Sequence, residues 1–349
     1  MFLTIKKNTV KKLICLLLIQ SFNHSIIQCA AQNLGGQQAF SFLNLPTNAY
    51  VNALGGINTS AANDVLGVWA SPALLDSSQR NQAALTLSPY LAGALLSTVS
   101  YGLPTQKRWA MGLQYLHYGT MPLTDAAGNE AGTFSAADYA LALSHARTEG
   151  NITVGMTLKI VGSGIESYQS WAAVTDLAAV FKHPKHDFTF GLAVKNAGVF
   201  LERYSPTDAS ELPFDVQLGV TFKPRFMPLR FSITAQHVYQ WDIVYNDPAI
   251  NFSFDANGNI VTKKASTAEK LARHLVIGTE LFLHKNFRLL LGYNHLRRQE
   301  MRLQKGSSAA GFSFGLMAQT SRFGFAYSYA IQHVAGGLHA ISLRSSLGH

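Results

Sequence analysis

Cysteine is nearly missing from this 349-residue sequence: Cys15 and Cys29 are the two present, and both precede residue 32. Nothing beyond that point can be held by a disulfide framework. Charge is scarce as well, at 13% Asp, Glu, Lys and Arg, where soluble domains carry roughly 25%. Long apolar runs are also lacking: outside the first 31 residues no stretch approaches the ~20 residues of a membrane-spanning helix. No basic run interleaved with aromatics follows the pattern that tracks a nucleic-acid backbone. No Ser-x-x-Lys occurs, so a penicillin-binding serine site is excluded. What remains is a chain that is 48% hydrophobic and must place that surface by some means other than spanning helices.

The first thing present is an export signal. Lys6, Lys7, Lys11 and Lys12 form a basic region, Leu13 to Ile19 an apolar core, and Cys29-Ala30-Ala31 a small-residue cleavage site before Gln32. Residues 1–31 are therefore expected to be a signal peptide. The apolar run is short for an anchor, and bulky Gln28 disfavours a lipoprotein site at Cys29. Removing the leader takes the formal charge from +9 to +5 (24 basic against 19 acidic residues).

From Ala83 onward apolar and polar residues alternate, the period of a strand. In NITVGMTLKI (151–160) Ile152, Val154, Met156, Leu158 and Ile160 share one face, and Thr153, Gly155, Thr157 and Lys159 the other. Phe188 to Lys195, Phe214 to Lys223 and Arg322 to Tyr329 repeat the pattern. Fourteen strands are expected, beginning near Ala83, Ala94, Lys107, Ala137, Ile152, Trp171, Asp187, Pro213, Pro228, Ala272, Asn286, Ala309, Arg322 and Leu338. Alternation alone allows a soluble sandwich with the apolar face inward or a membrane barrel with it outward. The connections decide. Long ones (Thr120–Ala136, Gly198–Leu212, Gln240–Leu271) are separated by tight ones (Glu149-Gly150, His183–His186, Lys223–Met227, Leu283–Lys285, Thr320-Ser321), as in up-and-down outer-membrane barrels. Strands of about 9–12 residues, an even count, and aromatics near strand ends (Tyr101, Trp109, Tyr118, Tyr139, Trp171, Phe222, Tyr239, Trp241) agree. The expected fold is all-β, a 14-stranded antiparallel transmembrane β-barrel over 83–349, integral to the outer membrane.

Such a barrel has a lumen too wide for strand side chains alone to fill. The segment 32–82 is irregular, punctuated by Asn44-Leu45-Pro46, Gly55-Gly56 and Ser71-Pro72-Ala73-Leu74. It is expected to be a plug or hatch inside the barrel. The inward charges Lys159, Lys195, Asp215, Lys223, Arg230 and Arg288 either line a conduction path or pair with one another and with the plug, and pairing is favoured. The longest loop carries Trp241, Tyr245, Phe252 and Phe254 as a candidate docking surface, and ASTAEKLAR (265–273) as a short helix.

FLNLPTNAYVNALGG (42–56), LGVWASPALLDSSQRNQAALTLSPY (66–90) and YGTMPLTDAAGNEAGTFSAADYALALSHAR (118–147) resemble the PorQ family, an outer-membrane component of the type IX secretion system of Bacteroidota. More broadly they are similar to FadL-type barrels, whose hatch carries Asn-Pro-Ala; here Ser71 replaces the Asn. The resemblance implies a non-enzymatic barrel that anchors surface partners, namely PorZ, PorU and PorV, alongside outer-membrane lipid. The alternative is a FadL-like transporter of hydrophobic molecules, with an apolar pocket at Phe40, Phe42, Leu43 and Leu45 and a kinked strand opening a lateral gap. The chain ends without a terminal aromatic, unlike many barrels.

Chemistry is sparse. Gly311-Phe312-Ser313-Phe314-Gly315 spells G-x-S-x-G, but it alternates like a strand and no helix follows, so no nucleophile elbow is expected. His183 and His186 have no Cys or carboxylate ligands beside them and read as a basic turn. No cofactor, metal or nucleic acid is expected.

Overall fold

A computed structural model describes residues 37–125, 127–244, 252–254, 260–262, 265–301, 309–333 and 336–347. The expected signal peptide lies outside the described residues. The strands are β1 (Gln82–Pro89), β2 (Leu95–Gly102), β3 (Arg108–Thr124), β4 (Glu130–Glu149), β5 (Ile152–Ile165), β6 (Tyr168–Lys182), β7 (Phe188–Glu202) and β8 (Asp215–Phe222). They continue as β9 (Leu229–Ala235), β10 (Phe252–Phe254), β11 (Ile260–Thr262), β12 (Leu275–His284), β13 (Phe287–Asn294), β14 (Phe312–Gln319), β15 (Phe323–His333) and β16 (Gly336–Ser346). All but β10 and β11, which form their own hairpin, close into one antiparallel barrel in which β1 pairs with β16 and β9 with β12. The barrel has fourteen strands, as the alternation predicted.

The faces of β5 show where the apolar residues point. Ile152, Val154, Met156, Leu158 and Ile160 are exposed, whereas Thr153, Thr157 and Lys159 are buried. That is the reverse of a soluble protein, where burial selects the apolar set. A continuous outward apolar surface on a closed barrel is stable in lipid, where strand pairing satisfies the backbone. The chain is an integral outer-membrane barrel. Met156→Arg is expected to destabilise it by about 2–4 kcal/mol near the bilayer midplane, read as earlier urea unfolding in liposomes. Normal stability of that variant would mean the strand faces are assigned the wrong way round.

One connection differs from its expectation. Residues 120–136 are not a loop: β3 and β4 continue as a paired hairpin through Thr124 and Glu130, with register breaks after His117 and Leu123. The Asp125 carboxylate closes the turn, accepting the backbone N–H of Ala127 and of Asn129 at 2.9 Å each. The Gly and Asn residues that read as loop punctuation are absorbed by that turn and by the bulges. The expected helix near 265–273 forms at Thr267–His274, with Ser266 Oγ accepting from Glu269 N–H at its start.

Inside the barrel run residues 37–81, as 3-10 turns and the short helix Ala49–Ala53. This segment bonds to many parts of the wall. Ala49 N–H donates to Ser342 Oγ (2.8 Å), Tyr50 Oη to Glu280 Oε1 (2.7 Å), Asn52 Nδ2 to Ser328 Oγ (3.0 Å) and Trp69 Nε1 to Ser100 Oγ (2.9 Å). Wall glycines admit it closely. A Cβ at Gly155 would stand 2.4 Å from the Pro72 carbonyl carbon, so only glycine lets the turn Pro72–Leu74 lie against β5.

Asp64 caps the turn Val65–Trp69, accepting from Leu66 N–H at 2.9 Å. Burial pushes its carboxyl up from 3.8 to about 6, although the Leu66 bond and the Arg344 charge pull the other way. With the folded value raised, this group weighs against folding above pH 6, and that penalty fades as pH falls toward its ordinary value. Asp64→Asn keeps the cap and removes the charge. It is expected to gain stability over the native chain at pH 8, by up to about 3 kcal/mol, and to lose that advantage in acid. An equal gain at both pH values would sink this reading.

Candidate functional site

The strands differ in height, and the difference shapes the site. β6 and β7 pair out to Glu202, but β8 begins at Asp215, opposite Lys195. Among the described residues, Asn196 to Glu202 therefore has no strand partner on its β8 side. At that level β7 bulges: Thr175 pairs with Ala197 and Leu177 with Val194, so Lys195 and Asn196 together oppose Asp176. Asn196 takes a left-handed φ of 54°, and its N–H donates to Asp176 Oδ1 at 2.8 Å. The segment after β7 meets the N-terminal segment, where Ala39 N–H donates to the Glu211 carbonyl at 2.9 Å, and Phe40 packs 5.8 Å from Phe200 of β7.

Beside this break lies a cavity of about 160 Å³. The N-terminal segment contributes Leu43, Asn44, Leu45, Pro46, Val51, Gly56, Asn58 and Trp69, and the wall Gln114, Lys159, Lys195, Asp215 and Gln217. Gln236 and His237 after β9, and Arg297 and Glu300 of the helix His295–Glu300, complete it. Several of its charged groups have close partners. Lys159 Nζ lies 2.7 Å from Asp176 Oδ2 as an ion contact and donates to Asn196 Oδ1 at 2.7 Å. Lys195 Nζ donates to the Trp69 carbonyl at 2.6 Å. Asp215 accepts from Gln217 Nε2 and from the His237 backbone N–H, both at 2.7 Å, and lies 3.2 Å from His237 Nδ1. Burial alone would lower the His237 imidazole, but the Asp215 contact and charge more than offset it and its pKa is raised.

Of the residues expected from sequence, Asn44, Leu45, Pro46, Gly56, Lys159, Lys195 and Asp215 line this cavity. Gly55 sits just outside, its carbonyl accepting from Asn294 Nδ2 at 3.2 Å. Ser71, Pro72, Ala73 and Leu74 form the turn packed on β4 to β6. Lys223, Arg230 and Arg288 lie elsewhere, near the short turns. All three cations surround the Phe282 ring at 4.4–5.2 Å, and Glu280 binds Arg230 at 2.7 Å and Arg288 at 3.5 Å. Phe40 and Phe42 join an apolar cluster with Leu66 and Trp69, while Leu43 and Leu45 reach the cavity. Asp176, Asn196, Glu280, Gln114, Gln236, Arg297 and Glu300 were not anticipated. For the strand residues Gln114, Asp176 and Glu280, inward polarity in an alternating strand was the available signal.

Two motifs are spent on structure. Ser313 is buried in the middle of β14 and donates to the Ala53 carbonyl at 2.9 Å, so the G-x-S-x-G serine is part of the wall. His183 Nδ1 accepts the backbone N–H groups of Lys185 and His186, closing its turn. Trp241 stacks 6.2 Å from His274 on its own chain; Phe252 and Phe254 lie in the β10–β11 hairpin, and Tyr245 lies outside the described residues.

No family model and no curated protein matches the chain. Among solved structures, the toluene transporter TodX of P. putida is similar at 12% identity, over 88% of this chain and 100% of that one, with a TM-score of 0.50. A FadL homologue of Pseudomonas aeruginosa is 12% identical over 86% and 98%, with a TM-score of 0.47. The PorQ assignment is corrected by these findings, and with it the role in type IX secretion and the partners PorZ, PorU and PorV. The blocks that suggested them have other work. Residues 42–56 and 66–81 pack against the inner wall, residues 82–89 form β1, residues 118–147 build the β3–β4 hairpin, and these roles follow from barrel architecture. The chain is a fourteen-stranded outer-membrane barrel whose fold is that of TodX.

Proposed function

We propose that this barrel carries small, largely apolar molecules across the outer membrane, entering the lumen cavity and leaving sideways through the wall. The observation that carries the reading is that Lys195 and Asp215, the last pair of the β7–β8 ladder and the foot of the one-sided stretch from Asn196 to Glu202, line the cavity. Val199 and Leu201 on that edge are strongly exposed, so a molecule passing there meets hydrocarbon rather than water. The known activity of a barrel with this fold, transport of toluene by TodX, supports the same direction. Residues 32–82 act as the hatch in this proposal, and the leader 1–31 exports the chain.

The test is uptake of an apolar tracer by liposomes holding the purified barrel, compared with liposomes holding a closed barrel of similar size. Faster entry, slowed when Leu43→Trp fills the cavity, is the expected result. Entry no faster than the control, with the barrel folded, overturns the transport reading.

A further inference from the structure

The two ends of the barrel carry opposite charge at their surface. At the end of the short turns, exposed cations stand all round the rim: Lys107 after β2, Lys182 and Lys185 after β6, Arg225 after β8, Lys285 after β12 and Arg322 after β14. The turn after β4 adds Arg147, 3.3 Å from Glu149. Asp187 is the one other exposed acid at this end among the described residues. Lys182 lies 3.9 Å from Asp76, whereas Lys107, Lys185, Arg225 and Lys285 make no ion pair among the described residues. The end of the long loops is acidic instead. Asp125, Glu130, Glu166, Glu202 and Glu211 are exposed there, and Arg203 is the one exposed cation among the described residues. Apolar side chains share the basic rim. Phe226, in the turn after β8, is 93% exposed, and Met227, Leu283 and Phe323 are exposed as well. Such a ring is unfavourable in water and favourable at a bilayer boundary.

We infer that the rim of short turns binds the headgroups of anionic phospholipids in the leaflet it faces, with Phe226 dipping below the phosphates. This goes beyond the transport reading and does not depend on it. Each Lys or Arg near a negatively charged lipid surface is worth about fivefold in affinity, and a guanidinium matches phosphate oxygens two at a time. Arg225 is placed for this, its guanidinium carbon 5.7 Å from the Phe226 ring centroid. The ring meets acyl chain while the charge reaches outward to phosphate, as long basic side chains do at interfaces. Two features favour lipid over a docked protein. The cations sit on turns at opposite sides of the barrel, from β2–β3 to β8–β9 and on to β14–β15, whereas one protein would cover one sector. The rim is also continuous with the lipid-facing wall: Phe222 and Phe231, the pair at the foot of the Phe226 turn, are both exposed on that wall.

The test places the purified full barrel in phosphatidylcholine vesicles and measures, by electron spin resonance, how strongly spin-labelled phosphatidylglycerol and phosphatidylcholine are held at its surface. Phosphatidylglycerol is expected to be preferred by at least roughly twofold averaged over both leaflets, and the preference should shrink in high salt. Lys185→Gln, Arg225→Gln and Lys285→Gln combined should bring the two lipids close to parity. Glu130→Gln with Glu166→Gln, at the other end, should not reduce the preference; heat-modifiable gel migration confirms that each variant folds. Phe226→Trp should gain emission at short wavelength that lipid brominated near the headgroup quenches. Equal retention of the two lipids by the native barrel, a preference that the triple variant keeps, or water-like emission from Phe226→Trp overturns the inference. So does a soluble protein held by these turns while the two lipids are retained equally, which would make the rim a protein interface.

Discussion

Lys159→Met is expected to cost the barrel about 3–5 kcal/mol, because it strips the one cation that, among the described residues, contacts a fully buried carboxylate. Both side chains of the pair are sealed from solvent, at 2% and 0% exposure, and their charged atoms lie 2.7 Å apart. Asp176 also receives Asn196 N–H and so holds the β7 bulge beside the cavity. Left unpaired, it must take up a proton or admit water, and either outcome loosens that bulge. The double variant Lys159→Met, Asp176→Leu removes the charge along with its partner, and should recover most of the loss. Urea unfolding in detergent, followed by tryptophan fluorescence, measures both. A single variant within about 1 kcal/mol of the native chain would mean the pair is solvated after all.

The second large effect belongs to Glu280. Its carboxylate grips Arg230 through two bonds of 2.7 Å, faces Arg288 at 3.5 Å and accepts the Tyr50 hydroxyl at 2.7 Å. Glu280→Gln leaves two guanidinium groups repelling each other around the Phe282 ring with no anion between them, and should cost about 3–5 kcal/mol. Tyr50→Phe deletes only the hydroxyl and should cost about 0.5–1.5 kcal/mol. Limited proteolysis separates the two: Glu280→Gln should expose the N-terminal segment to cleavage, and Tyr50→Phe should not. If both variants are cut alike, the hydroxyl bond rather than the charge holds the segment.

The opening strand of the barrel argument, Ile152 to Ile160, shows why so much of the wall was readable. A strand's side chains alternate strictly, and lipid on one side with a polar lumen on the other makes every second residue declare its face. Strand number followed from that periodicity, and the outward direction of the apolar face from the pattern of long and tight connections, strand length and even count. The hairpin over residues 120–136 was missed because bulges break the period there, and glycine and asparagine read as loop. Lys159, Lys195 and Asp215 were recognisable as inward charges. That Lys159 meets Asp176, that Arg230 and Arg288 share Glu280, and that Lys223, Arg230 and Arg288 gather away from the cavity, were not.

The amino-acid sequence by itself determined a closed fourteen-stranded barrel, the lipid-facing set of side chains and an irregular segment long enough to fill the lumen. These are local properties, set by a two-residue period and by turn chemistry. Tertiary structure alone decided the site. The cavity draws on residues 43 to 300, brought together by barrel closure and by the path of the N-terminal segment, and no pattern along the chain encodes such distances. Resemblance of short blocks misassigned the function for the same reason: they record how the lumen is packed, whereas the site depends on which distant residues that packing brings face to face.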